Sequence, residues 1–430
     1  LVSVVLPMGN ANNIGESAFS GCTSLNEVSF NDSLTYIPSN AFSNTSIKKV
    51  TIIGTDYTGT NYMPAGIMYV GKNAFQDSRL SSLDFTKCSK LSYIDEYAFA
   101  QASITSLTLS EKLEKINSFA FNATIIFSLN IPDSVNYLGT NVFRGSALWS
   151  ISLSPNIPEI PENTFRDCQL LSNITLRGSS SAPCRIKSIG DYAFKGCCSL
   201  ENTDFLSGAA SLESIGEYAF SECCINEDNR DKNIYGKLNY IGISDVTLPD
   251  NVTSIGKNAF AENYSLESVN LGAGVKVIPQ DAFSVKTRDT SMLKKVILSD
   301  KLTRIEDNAF SNNGYLRTIG YTNGKNITST DGSAVFADSL EYIGNSAFSN
   351  CSSKQVLNNI YNKNARIKAF EYTIAEADIH ASKKNGDSKY LAYYKGNTDF
   401  SEVYISQSVL DCIEDNSYSL DEDTPAVTIY

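Results

Sequence analysis

Histidine is almost missing, with His380 the only one in 430 residues. Imidazole serves general acid–base catalysis and metal ligation more than any other side chain. Any catalytic triad or histidine-ligated metal would therefore have to pass through His380. Its surroundings, ADIHASKKNGD, carry none of the local signals of a nucleophilic site. The chain has no G-x-x-x-x-G-K-[ST], G-x-S-x-G or H-E-x-x-H motif. His380 reads as solvent-exposed, and neither an enzyme, a cofactor nor a metal is expected.

Positive charge is also short. Lys and Arg number 35 against 47 Asp and Glu, a net charge of −12, the wrong sign for gripping phosphate backbones, so no nucleic-acid partner is expected. No run of 18 or more apolar residues occurs, so no transmembrane helix is expected. The opening LVSVVLPMGN has no basic n-region or cleavage site and reads as the middle of a structural unit. Charged residues make up only 19% and apolar ones 42%, enough to bury a core and exclude global disorder.

What the chain does have is one phrase, I-(G/P)-x-x-A-F, written thirteen times. It is plainest in IGESAF (14–19), IGDYAF (189–194), IGEYAF (215–220), IGKNAF (255–260) and IGNSAF (343–348). Successive Phe residues lie 22–24 apart where nothing is inserted and up to 40 apart where something is. That period means a solenoid. A second phrase, L-x-x-V-x-L, follows the first, as in Ile104/Leu107/Leu109 and Leu266/Val269/Leu271. Its last positions alternate apolar and polar, which predicts one short parallel strand per coil with one buried face. A further short strand is expected to end at the Ile of the first phrase. At 100° per residue that Ile, the Ala, the Phe and the residue three beyond it share one face. The spacing therefore predicts a short helical turn, with Pro38, Pro161 and Pro279 at its first position.

The alternation of the two phrases resembles the BspA-type leucine-rich repeats, and VTLPDNVTSIGKNAFAENYSLESVNL (246–271) matches that pattern at nearly every position. The resemblance covers residues 1–351 and implies an α/β-type, right-handed leucine-rich-repeat superhelix of about 13 repeats. Residues 352–430 are expected to form a cap or small β-rich module with an acidic tail. The resemblance also implies an extracellular or cell-surface protein of the adhesion type, which binds host matrix proteins or other cells without catalysis. The alternative is a glycan-binding or spacer module of a larger surface protein.

Five of the ten cysteines stand three residues after the Phe: Cys22, Cys168, Cys197, Cys223 and Cys351. A small, buried ladder position explains them. Coils stack at about 4.8 Å, so Cys168, Cys197 and Cys223 could also pair as a disulfide ladder. Zinc is disfavoured, because CC is not C-x-x-C and no histidine lies near. Sequons occur at eight asparagines, Asn173 and Asn263 among them.

Two regions are candidate binding surfaces. The middle, outward-facing strand positions include Asp84, Thr108, Asn130, Ser152, Thr175, Asp204, Thr247 and Asn270, a hydroxyl- and amide-rich concave face with little charge and no aromatic platform. The insertion GTDYTGTNYMPAGIMY (54–69) brings Tyr57, Tyr62, Met63, Met68 and Tyr69, residue types enriched at interfaces. In the tail, KYLAYYKGNTDFSEVYI suggests a hairpin around Gly396-Asn397. The acids Asp411, Glu414, Asp415, Asp421 and Asp423 read as a solvated linker, with calcium binding the alternative.

Overall fold

In the computed structural model both repeated phrases become rungs of stacked coils. The structure describes residues 1–6, 14–55, 61–179, 183–224, 242–286, 291–323, 326–328, 336–337, 339–344, 346–348, 351, 380–383, 390–393 and 427–428. The chain divides into two compact units, residues 1–200 with 208–212, and residues 201–207 with 213–430.

In the first unit the L-x-x-V-x-L strands pair in parallel, with each inward Val, Leu or Ile opposite its equivalent: Val4 with Val28 and Val50, Leu83 with Leu107, and Leu129 with Ile151 and Ile174. In the second, Val246, Val269, Val296 and Ile319 form the same row. A one-residue slip would turn each apolar row outward, so burial fixes the register. The expected second strand is present as a two-residue piece ending at the Ile. Ile37, Val70, Ile94, Ile116 and Leu138 are mutually in register in the first unit, and Ile278, Ile305 and Ile343 in the second. Twelve such strands lie among the described residues, so twelve of the thirteen phrases close a turn. The solenoid is a β-solenoid.

The expected helical turn is not formed. The residues of x-x-A-F form a turn in every coil where they are described, and among the described residues the only helix is a 3-10 piece at Asp204–Gly208. The residue two before the Phe has a left-handed backbone in all thirteen copies, from Ser17 (φ 58°) to Ser346 (φ 55°). An α-helix tolerates no such residue, and asparagine, which accepts it most readily, fills six of these places. The left-handed residue lets donors alternate in direction. Asn163, Phe165 and Asp167 donate N–H to the next coil at Asp191 O, Ala193 O and Lys195 O (2.8–3.0 Å), whereas Thr164, Arg166 and Cys168 donate back within their own turn. Ala and Phe still share an inward face, which is why the 3.6 period imitates a helix.

That face carries the core. Phe rings stack coil upon coil at centroid separations of 5.2–5.8 Å, from Phe19 to Phe194 in the first unit and from Phe220 to Phe348 in the second. The Gly after the Ile has a packing role: a Cβ on Gly139 would meet Ser118 N at 2.3 Å and one on Gly190 would meet Glu162 N at 2.6 Å.

Between the last two copies of the phrase, Thr318–Asn323 pairs with Asn326–Thr328 as an antiparallel ribbon. In the tail, Tyr390–Tyr393 pairs with the upstream strand His380–Lys383 and with Val427–Thr428. The downstream arm of the hairpin expected around Gly396-Asn397 and the five tail acids lie outside the described residues.

Candidate strand-face binding site

The outward strand positions come together as expected, in rows that run across the coils. Asp84 is in register with Thr108, Asn130 with Ser152 and Thr175, and Thr247 with Asn270. Each is exposed or half-buried, while the residues on either side of it face the core. Asp204 is the exception. Its coil keeps only a single bridge, Asn202 with Asp245, and Asp204 starts the 3-10 piece. In several coils the rows are linked by their own side chains. Ser29 and Thr51 hydroxyls lie 2.6 Å apart, Lys49 pairs with Glu27 at 2.7 Å, and Lys294 pairs with Glu267 at 2.8 Å.

The described residues 61–69 of the insertion do not form a loop of exposed Tyr and Met. Tyr62 forms a parallel bridge to Asp84, Met63 donates its N–H to Asp84 O at 2.9 Å, and the Met63 side chain is fully buried. The insertion thus adds a short extra rung to the strand face. Tyr69 belongs to the second-strand side, stacked between Tyr36 and Tyr93 at 5.0 Å on each side. Partial burial and the neighbouring Tyr93 hold its hydroxyl above the ordinary value. Met68 is exposed, and Tyr57 lies outside the described residues.

The cysteine position is a buried ladder. Cys168, Cys197 and Cys223 carry thiols and no disulfide joins them. Cys168 donates to Phe143 O at 3.0 Å and Cys197 to Phe165 O at 3.2 Å, each reaching the Phe of the preceding coil. Asn263, at the same position, donates to both Phe220 O and Phe260 O at 2.8 and 2.9 Å, and Thr124 donates to Phe121 O at 2.9 Å. The position satisfies carbonyls that the turn leaves inside the core, and the Asn263 sequon is buried with it. Burial pushes the Cys88 thiol up to about 12 and that of Cys168 to about 11. These sulfurs are protonated packing groups and not nucleophiles. Among the described residues no group of three or more His, Cys, Asp or Glu could hold a metal ion.

One feature contradicts the expected face without an aromatic platform. Phe127 and Trp149, both immediately N-terminal to a strand, stack at 5.6 Å with planes 8° apart and remain 53% and 45% exposed. Trp149 N donates to Phe127 O at 2.8 Å, which fixes the two residues side by side. The signal in the sequence was one of position. This site is polar in the neighbouring coils, at Thr105 and Ser172, and aromatic here twice in succession.

The BspA type leucine rich repeat region matches the chain in six overlapping copies, at residues 1–93, 68–182, 92–226, 178–284, 232–334 and 331–421. Comparison with functionally curated proteins gives no significant match. Among solved structures, the chain is similar to a leucine-rich repeat protein from Bacteroides ovatus (21% identity, 82% of this chain and 86% of that one, TM-score 0.47). It is also similar to the pneumococcal vaccine antigen PcpA (18%, 75% of each chain, TM-score 0.38). A third is a leucine rich cell surface protein from Faecalibacterium prausnitzii (20%, 76% and 89%, TM-score 0.33). With six copies spanning nearly its whole length, the chain belongs to the BspA type leucine-rich-repeat family.

Proposed function

We propose that the chain is a non-enzymatic recognition or adhesion protein, secreted or displayed at a cell surface, that binds host matrix or cell-surface proteins through its outward strand face. The observation that carries this reading is a division of labour within each coil. The inward and turn positions are fixed by packing, while the outward strand positions change from coil to coil, from Thr108 to Asn130 to Ser152. A solenoid uses such a surface for multivalent contact. The Cys168 and Cys197 thiols are buried and bonded to carbonyls. Tyr62 extends the face; Met63 and Tyr69 serve packing, and the exposed Met68 lies next to the second strand that starts at Tyr69. Residues 352–430 form a separate cap or β-rich module, a reading supported by the three-stranded pairing there.

The test is to probe arrays of matrix proteins, cell surfaces and glycans with the purified chain. Saturable binding that is weakened by Asn130→Ala or Thr247→Ala is the expected result. Absence of binding to every class, or binding indifferent to all face substitutions, overturns the proposal. A glycan ligand in place of a protein is favoured by one observation, the exposed Phe127–Trp149 pair.

A further inference from the structure

From Ser103 to Thr175 four successive coils present an uncharged outward surface. In each coil the four positions concerned are the residue before the first apolar residue of L-x-x-V-x-L and the three outward residues that follow; none of them is Asp, Glu, Lys or Arg. The coils before this window carry Glu27, Lys49, Arg79 and Asp84 at the same positions, and those of the second unit carry Asp245, Glu267, Lys294 and Arg317. The nearby ions Asp133 and Arg177 are paired with each other at 2.9 Å. Inside the window the polar groups are amides and hydroxyls. The side chains of Ser128, Asn130, Ser150 and Ser152 make no hydrogen bond among the described residues, unlike the linked pairs elsewhere on the face. At its centre stand Phe127 and Trp149. Their stack stops at Trp149, because the next coil has Ser172 where a third ring would lie.

We propose that this window binds a neutral glycan, with a pyranose ring continuing the stack on the outer face of Trp149 over Ser172. The inference rests on the strand-face reading and names its ligand class. An aromatic face is the negative side of the ring quadrupole and attracts the weakly positive C–H face of a sugar. Hydroxyls and amides that lack internal partners offer both donors and acceptors to sugar hydroxyls, few and placed, as in a small-ligand site. A neutral surface has nothing to set against sialic acid, sulfate or the charged rim that steers a protein partner.

Trp149 is the chain's only tryptophan, so its emission reports on this window alone. The experiment titrates the full chain with neutral oligosaccharides of glucose, mannose, galactose and N-acetylglucosamine, with sialylated and sulfated glycans as controls. It measures Trp emission at low and high salt, and glycan-array binding for Trp149→Ala, Trp149→Phe, Asn130→Ala and Tyr137→Ala, the last an exposed residue on the second-strand side. The expected result is a saturable emission change with a neutral oligosaccharide, unaffected by salt. Array binding should fall about tenfold or more in Trp149→Ala, fall less in Trp149→Phe and Asn130→Ala, and stay unchanged in Tyr137→Ala. If the chain captures only proteins and no sugar moves the emission, the glycan proposal fails and the strand-face function stands. Glycan binding that Trp149→Ala leaves intact refutes the site. If no ligand of any class is captured, both readings fall.

Discussion

The strand face in residues 103–175 and the one in residues 245–320 are built on the same rungs and differ in what the rungs hold out. The first is neutral, with the unengaged Ser128, Asn130, Ser150 and Ser152 around Phe127 and Trp149. In the second, Asp245 accepts from Ser268 and Lys294 pairs with Glu267. Identical interiors carrying different exteriors show that in this solenoid the fold is specified by the turn-side ladder, which leaves the outward strand positions to vary with little effect on folding.

The largest expected effect tests the sameness of the interiors. Phe143→Ala in the first unit and Phe283→Ala in the second each remove a buried ring from a stack, and should each cost about 3–5 kcal/mol in denaturant unfolding. A small cost in one unit alone would mean the two cores are held differently. Next come the carbonyl caps. Asn263→Ala strips partners from Phe220 O and Phe260 O and from the N–H of Cys223, and should cost about 1–3 kcal/mol. Cys168→Ala, which loses the bonds of a weakly bonding sulfur to Phe143 O and the Ser146 hydroxyl, should cost less in the same assay.

The thiols give a pH test. Burial raises Cys88 and Cys168 from 9.0 to about 12 and about 11. A group raised in the folded state adds stability that is fully present below the unfolded value and lost as pH climbs through the folded one. Denaturation midpoints should therefore fall as pH rises from 9 towards 11–12. Neither thiol should react with an alkylating reagent at pH 8 until the chain unfolds. Rapid alkylation of the folded protein would show that the ladder opens. The smallest effects belong to the exteriors. Glu267→Ala should change stability by less than about 1 kcal/mol, and Trp149→Ala by about 0.5 kcal/mol or less, measured by thermal unfolding. A large loss from either would mean that the face holds the fold together.

Much of this was legible in the sequence. Thirteen repeats of I-(G/P)-x-x-A-F gave the coil, the parallel strands and the inward Phe, because stacking forces every copy to repeat the same packing. The helical turn was misread for a physical reason. A turn with a left-handed residue at Asn163 or Asn258 buries its Ala and Phe on the same side as a helix would, and only the asparagines hint at the difference. Residue type alone marks Met63 and Tyr69 as interface candidates, whereas in the fold Asn61–Met63 pairs with the strand at Asp84 and Tyr69 stacks between Tyr36 and Tyr93. Phe127 and Trp149 escaped notice because they sit one place before the alternating strand positions. The free-energy consequences of that placement, an exposed stack beside unengaged polar groups, belong to the assembled coils and not to any one phrase.

Hydroxyl-radical footprinting of the full chain, with and without its captured ligand, tests the central claim most directly, since that claim is that recognition happens on the outward strand face. Protection is expected at Phe127, Trp149 and Leu170, with Tyr137 on the second-strand side unchanged. Protection of Tyr137 together with an unaltered Trp149 would place binding on the wrong side of the coil and contradict the account.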